Sequence, residues 1–321
     1  MPGAAKDRAF LLTATDTTRP DPKEHPITDF VNMLQPVEEA DGCFVGAAGP
    51  AFGPRLFGGQ AIAQGLLAAC GVEDMERQPH SVHASFLRPG LAEDPVHYHV
   101  TSLAEGRSFA MRRVDAVQGQ ALLMTMTVSF HIEEPGFRHQ ADTDHSLDVD
   151  AALEALRSWS AHNPKASESP ILDRLERRPI AIVPLDPGSL FGAREREPRT
   201  ASWMKLREAP AMEPSLQRAV LAYASDMMFL RNALLPHAIR PGQSQLQAAS
   251  LDHAIWFHET PDFSQWHLFA TESPWAGNAR GFNRGHFYDC SGRMVASVSQ
   301  ESLMRPKGEA LGRLMEMDEN D

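Results

Sequence analysis

The sequence predicts an α+β fold built from two copies of one module, each a helix followed by an antiparallel meander. Three observations predict it. An apolar helix followed by about four strand-like runs occurs early in the chain, and the same succession returns after Ser202. His83-Ala-Ser-Phe-Leu87 resembles His253-Ala-Ile-Trp-Phe257 at an offset of 170 residues, and Gly58-Gly-Gln-Ala-Ile62 stands where Ala224-Ser-Asp-Met-Met228 stands at an offset of 166. In each copy a turn signal joins the last two strands: Val-Gln-Gly-Gln over 117–120, then Asp289-Cys-Ser-Gly292. Two such modules can lie side by side with one continuous sheet and two buried helices.

Taken in order, residues 1–27 are rich in Thr, Asp and Pro and read as a loose arm. The first module is expected over 28–135. A strand end at Val45–Gly49 precedes an apolar helix over Leu56–Cys70, which has Gly58 and Gly59 near its start. Strands follow at His80–Arg88, His97–Leu103, Phe109–Val117 and Ala121–His131. Pro and charged residues crowd 136–200, a connector too long to be a bare loop. It holds a short amphipathic helix at Ala151–Trp159 and an apolar run at Ile180–Leu185. The second module is expected over 201–306, with a strand at Trp203–Leu206. A long helix over Pro214–Leu235 has proline in its first turn and is stopped by Pro236. Strands follow at Leu246–His258, Trp266–Thr271, Gly281–Tyr288 and Met294–Met304. Residues 307–321 form a tail.

Composition narrows the function classes. Of 321 residues, 42% are hydrophobic and 22% charged, as in soluble globular proteins. The formal net charge of -12 removes the broad basic footprint of a nucleic-acid binder, while leaving room for a local patch that takes an anionic small ligand. The three cysteines, Cys43, Cys70 and Cys290, are far apart and form no CxxC or Cys/His cluster, so neither a disulfide framework nor a zinc site is expected. The acidic run Asp142–Asp150 reads as a solvated helix start and not as a metal site. No run reaches membrane-spanning length and the first residues lack a signal-peptide shape, so a cytoplasmic location without membrane contact is expected.

Phe57-Gly-Gly-Gln60, Phe86-Leu-Arg-Pro-Gly90, Ser225-Asp226, Leu251-Asp-His253 with Trp256-Phe-His258, Ala279-Arg-Gly281, and Gln300-Glu301 occur in this order. Each is weak alone. As an ordered set over about residues 30–305 they resemble the acyl-CoA thioesterase II family. The resemblance implies a double hotdog fold, each module a long helix wrapped by an antiparallel sheet. It implies hydrolysis of acyl-CoA to a free acid and CoA with no metal or organic cofactor, in a homo-oligomer. The family's catalytic Asp, Thr or Ser, and Gln fall on Asp226, Ser250 and Gln300. Serine at Ser250 keeps the hydroxyl of the more common threonine and loses only a methyl.

The chemistry of these residue types suits the implied reaction. Thioester hydrolysis needs an oriented water, an acceptor for its proton, and donors for the developing oxyanion. Asp226, set in an apolar helix, is expected to have a raised pKa and to act as general base or water holder, with nucleophilic attack through an anhydride as the alternative. Ser250 and Gln300 would fix the same water. An N–H at the helix start beside Gly58 and Gly59 is a candidate oxyanion donor, although the two glycines equally suit close helix–sheet packing. Gln60, at the place of Asp226 in the first copy, cannot act as a base, so one centre per chain is expected; Gln60 can still contact substrate. Asp252 and His253 read as structural, although Ser250 and Asp252 would share a strand face. Among Arg88, Arg112, Arg113, Arg280, Arg284 and Arg305, Arg88 and Arg305 are the candidates for CoA phosphates. Two rival functions remain: a hotdog hydratase or dehydratase acting on enoyl or 3-hydroxyacyl thioesters, and a non-catalytic acyl-CoA binding protein.

Overall fold

A computed structural model of the chain describes residues 27–49, 53–72, 76–141, 148–163, 178–191, 195–237, 246–308 and 311. Of the expected arm over 1–27 only Ile27 is described, and most of the acidic run at Asp142–Asp150 and nearly all of the tail lie outside the described residues. The first copy contains α1 (Ile27–Leu34), β1 (Val37–Ala40), β2 (Cys43–Gly46), α2 (Gly58–Gly71), β3 (Gln78–Phe86), β4 (Val96–Glu105), β5 (Phe109–Gln118) and β6 (Ala121–His131). Next come α3 (Val149–His162), β7 (Ile180–Pro184), α4 (Pro187–Phe191), β8 (Arg199–Leu206), α5 (Pro214–Ser225) and α6 (Arg231–Leu234). The chain closes with β9 (Leu246–Ser250), β10 (Asp252–Phe257), β11 (His267–Gly277), β12 (Arg280–Asp289) and β13 (Met294–Pro306).

The strands form one antiparallel sheet in the order β1-β2-β4-β5-β6-β3-β10-β13-β12-β11-β8-β7, with β9 added beside β13. The order reads the same outwards from the central β3–β10 pair, as expected for two fused modules. The apolar stretch Ile180–Pro184, in the segment read as a connector, is the edge strand that pairs with β8.

Side-chain period explains which residues face inwards. In β6, Met124, Met126, Val128 and Phe130 alternate into the core. In β13, Ala296, Val298, Gln300, Ser302 and Met304 do the same, which carries two polar side chains into a buried face. Helix α2 is apolar on nearly every side and is correspondingly buried on nearly every side, against the sheet and against α5. The two helices run antiparallel: the start of α2 meets the end of α5 through Gly59 and Asp226, and Cys70 and Gly71 share a cavity wall with Pro214 and Ser215.

Five expectations need correction. The long helix over Pro214–Leu235 is broken: α5 stops at Ser225, Asp226 is its C-cap, Met228 adopts a φ of 66°, and helix resumes only at Arg231. No glycine or proline marks that break in the sequence, and the apolar pattern runs across it. The strand run Leu246–His258 is likewise split at Leu251, whose N–H donates to the Glu301 carbonyl and whose carbonyl accepts from Phe86 N–H. Ser250 and Asp252 therefore do not serve one face: Asp252 is exposed and accepts from Glu301 N–H, while Ser250 turns towards Gln300. The offset of 170 between the copies is out of register, since His83 is exposed and His253 fully buried. The central pairing sets Ala84 opposite His253 and Val82 opposite Ile255, and a slip of one residue exchanges the faces of a strand. Finally, Gln60 is not the counterpart of Asp226. It lies in the first turn of α2, whereas Asp226 caps the last turn of α5.

Candidate active site

Asp226 sits where α5 ends against the start of α2. Gly59 N–H, one of the N-terminal donors of α2 without an intrahelical acceptor, donates to Asp226 Oδ2 at 2.9 Å. Both glycines are needed for this approach. A Cβ on Gly59 would come 2.6 Å from the Tyr223 carbonyl oxygen, and one on Gly58 would come 2.8 Å from Asp226 Oδ2. The close packing is helix against helix at both glycines and, at Gly58, also helix against sheet, where a Cβ would come 3.0 Å from the Phe86 ring. Phe57 and Tyr223 meet edge to face across the same junction.

Strands β9 and β13 bring the other two side chains to this point. Gln300 Nε2 donates to Ser250 Oγ at 3.1 Å and to Ser302 Oγ at 3.0 Å. Gln300 is almost fully buried. Burial pushes the Asp226 carboxyl up to about 7, while hydrogen bonds from Gly59 N–H, Ser250 and Gln300 act in the opposite sense. Desolvation outweighs three favourable contacts, so the group titrates near neutrality.

The carboxylate opens onto a cavity of about 470 Å³ whose wall includes Arg55, Gly58, Asp226, Arg231, Ser250 and Gln300. A second cavity, of about 310 Å³, shares Arg55, Leu56, Gly58, Ala248, Ala249 and Ser250 with the first and extends past Phe86, Leu123 and Met124. Two arms therefore diverge from the wall formed by Gly58 and Ser250. Asp226, Ser250, Gln300 and Gly58 come together there. Gln60 does not line either cavity; its amide donates to the Ala47 carbonyl. Arg88 is exposed, lines the second cavity and donates to the Leu122 carbonyl. Arg305 is exposed on the far part of β13 beside Gln247 and lines neither. Arg112, Arg280 and Arg284 are held by Glu105, Glu301 and Glu272.

Sequence reasoning missed Arg55 and Arg231 in the cavity wall. Arg231 looked like one more residue of a long helix; only the break after Ser225 turns it into the cavity. His253 is fully buried behind the site, with Nδ1 2.6 Å from Gln300 Oε1 and Nε2 2.8 Å from Ser225 Oγ. This fits the structural role expected for it, holding strand and helix together. Among the described residues no group of three or more His, Cys, Asp or Glu side chains could hold a metal, and no helix is long and apolar enough to cross a membrane.

Comparison with known proteins gives consistent matches. The family model for acyl-CoA thioesterase matches residues 175–303, and that for the acyl-CoA thioesterase N-terminal domain matches residues 47–131. Acyl-CoA thioesterase 2 of Haemophilus influenzae is 32% identical over 255 residues, covering 78% of this chain and 88% of that protein. The crystal structure of an acyl-CoA thioesterase II from Mycobacterium marinum aligns with a TM-score of 0.69 at 27% identity, over 86% of this chain and 98% of that one. A hot dog fold protein from Alicyclobacillus acidocaldarius aligns with a TM-score of 0.67 at 17% identity, over 87% of this chain and 99% of that one, a likeness of fold alone.

Proposed function

The chain belongs to the acyl-CoA thioesterase family and is a thioester hydrolase of double hotdog fold, and we propose that a water held by Asp226, Ser250 and Gln300 attacks its acyl-CoA substrate. One observation carries this reading: a carboxylate titrating near 7, a hydroxyl and a buried amide converge on a single cavity wall. Asp226 takes a proton as the water oxygen bonds to the thioester carbon. Collapse of the tetrahedral adduct breaks the C–S bond, and the proton on Asp226 passes to the departing thiolate. The acid and CoA leave with no other reactant consumed.

The oxyanion needs a donor other than Gly59 N–H, which is engaged by Asp226. Gly58, the first residue of α2, faces both cavities and carries an N–H with no intrahelical acceptor. It is the better-placed donor. The two cavity arms suit the two limbs of a thioester, with the carbonyl carbon at their junction. Attack by water is favoured over an anhydride because Ser250 and Gln300 stand beside the carboxylate on the same cavity wall as polar partners able to hold a water. A homo-oligomeric enzyme completes the reading, supported by family resemblance; light scattering reads the assembly directly.

Release of free thiol from acyl-CoA, followed with a thiol reagent, tests the whole. Asp226→Asn should lower kcat by about 10³-fold, with folding and acyl-CoA binding retained. Near-normal turnover in that variant would sink the assignment. Tight binding by the wild type without thiol release would favour a binding protein, and hydration of enoyl thioesters without release would favour a hydratase.

A further inference from the structure

His253 has no part in the reaction just described, yet both its ring nitrogens are engaged. It lies inside the core, where burial pushes its pKa down to about 4, so at neutral pH the ring has one N–H and one bare nitrogen. The distances say which is which. The 2.6 Å separation between Nδ1 and the nearer end of the Gln300 amide is short for N–H donating to a carbonyl oxygen and shorter still than two nitrogens could approach. The other end of that amide stands 3.1 Å from Ser250 Oγ and 3.0 Å from Ser302 Oγ, the spacing of N–H donors to hydroxyl oxygens. Ser225 Oγ lies 2.8 Å from Nε2 and equally 2.8 Å from the Ala222 carbonyl oxygen; with Nδ1–H engaged by Gln300, the one hydroxyl hydrogen turns from that carbonyl to the bare ring nitrogen.

We infer that His253 is a positioning residue which, as the Nδ1–H tautomer, fixes the Gln300 amide with its NH₂ towards Ser250 and so leaves the Ser250 hydroxyl hydrogen free for Asp226. The inference rests on the reading of Asp226, Ser250 and Gln300 as the water-holding set. Its physical content is a one-way circuit of hydrogen bonds. Ser225 O–H donates to His253 Nε2, His253 Nδ1–H donates to Gln300 Oε1, Gln300 Nε2–H donates to Ser250 Oγ, and Ser250 O–H points to Asp226. The circuit starts and ends on consecutive residues, at the point where α5 stops. With the opposite tautomer the amide would turn over. Gln300 Oε1 would then draw the hydroxyl hydrogens of Ser250 and Ser302, and Asp226 would lose a donor.

The tautomer can be read on the intact enzyme from ¹⁵N–¹H correlations of the labelled imidazole. Protonated Nδ1 with bare Nε2 is expected; a protonated Nε2 overturns the inference. Kinetics of two variants of similar shape supply the second arm. His253→Asn keeps a donor at the place of Nδ1, and His253→Leu keeps only the branched outline. The Leu variant should lose on the order of 10²-fold in kcat with KM little changed, and the Asn variant should recover most of that loss. Equal impairment of both, or impairment of neither, overturns the positioning role. If the Leu variant fails to fold, the tautomer still decides. Gln300→Ala separates the two layers: full turnover in that variant would refute the water-holding set while leaving the measured tautomer as it stands.

Discussion

Burial pushes the Asp226 carboxyl up to about 7, and two consequences follow at the scale of this residue. Turnover needs the charged form, so kcat/KM should rise with pH along a limb centred near 7 and flatten above it. The same shift acts on stability. The folded pKa lies above the ordinary value of 3.8, so the folded protein binds this proton more tightly than the unfolded chain. That contribution is present in full below about pH 4, is lost as pH rises through about 7, and changes no further beyond. Asp226→Asn does not ionise. Its thermal stability should therefore match the wild type near pH 4 and exceed it at pH 8, by at most about 4 kcal/mol. Calorimetry at the two pH values checks this; equal stability of the two proteins at pH 8 would mean that the carboxylate is not strained by its surroundings.

Between elements, the junction of α2 and α5 separates two glycines that look alike in the sequence. A methyl at residue 59 meets the Tyr223 carbonyl oxygen at 2.6 Å, and a backbone atom in a packed helix cannot step aside. Gly59→Ala should force the helices apart and cost about 1–3 kcal/mol in urea unfolding. A methyl at residue 58 instead meets Asp226 Oδ2 at 2.8 Å and the Phe86 ring at 3.0 Å, both in side chains. Gly58→Ala should leave unfolding close to wild type and impair thiol release on the order of 10²-fold by displacing the carboxylate. A reversal of these two effects would contradict the geometry. The break between α5 and α6 belongs to the same scale. Met228 holds a φ of 66°, a conformation a side chain adopts only under the constraint of its surroundings, and the cavity wall is built at that turn.

Across the whole molecule the strand order is symmetric about β3 and β10, but the chemistry is not. At the opposite end of the helix pair, where α2 ends against the start of α5, a cavity of about 270 Å³ is lined by residues that include Cys70, Gly71, Gln78 and Phe130. Gly71 and Val72 stand at that helix end where the other copy has Ser225 and Asp226. One centre per chain is still expected, now because the C-cap of α2 is Val72 where α5 has Asp226, and not because Gln60 replaces a carboxylate. Titration of Asp226→Asn with a non-hydrolysable acyl-CoA thioether should saturate at one equivalent per chain. Two equivalents would reveal a working second site.

Sequence alone determined the duplicated helix-and-meander plan, because side-chain period and turn chemistry are local properties that survive without knowledge of neighbours. The residues proposed for the site, Asp226, Ser250 and Gln300, came from the resemblance carried by the ordered motifs. Tertiary structure decided how they meet. The stop of α5 at Ser225, the split of the strand at Leu251 and the one-residue register between the copies all depend on contacts with distant segments: Gly59 on α2, Phe86 on β3 and Glu301 on β13. The same contacts turn Arg231 into the cavity and set His253 behind Gln300. A helix end or strand break enforced by packing leaves no glycine or proline behind it, so it becomes visible only when the chain is folded.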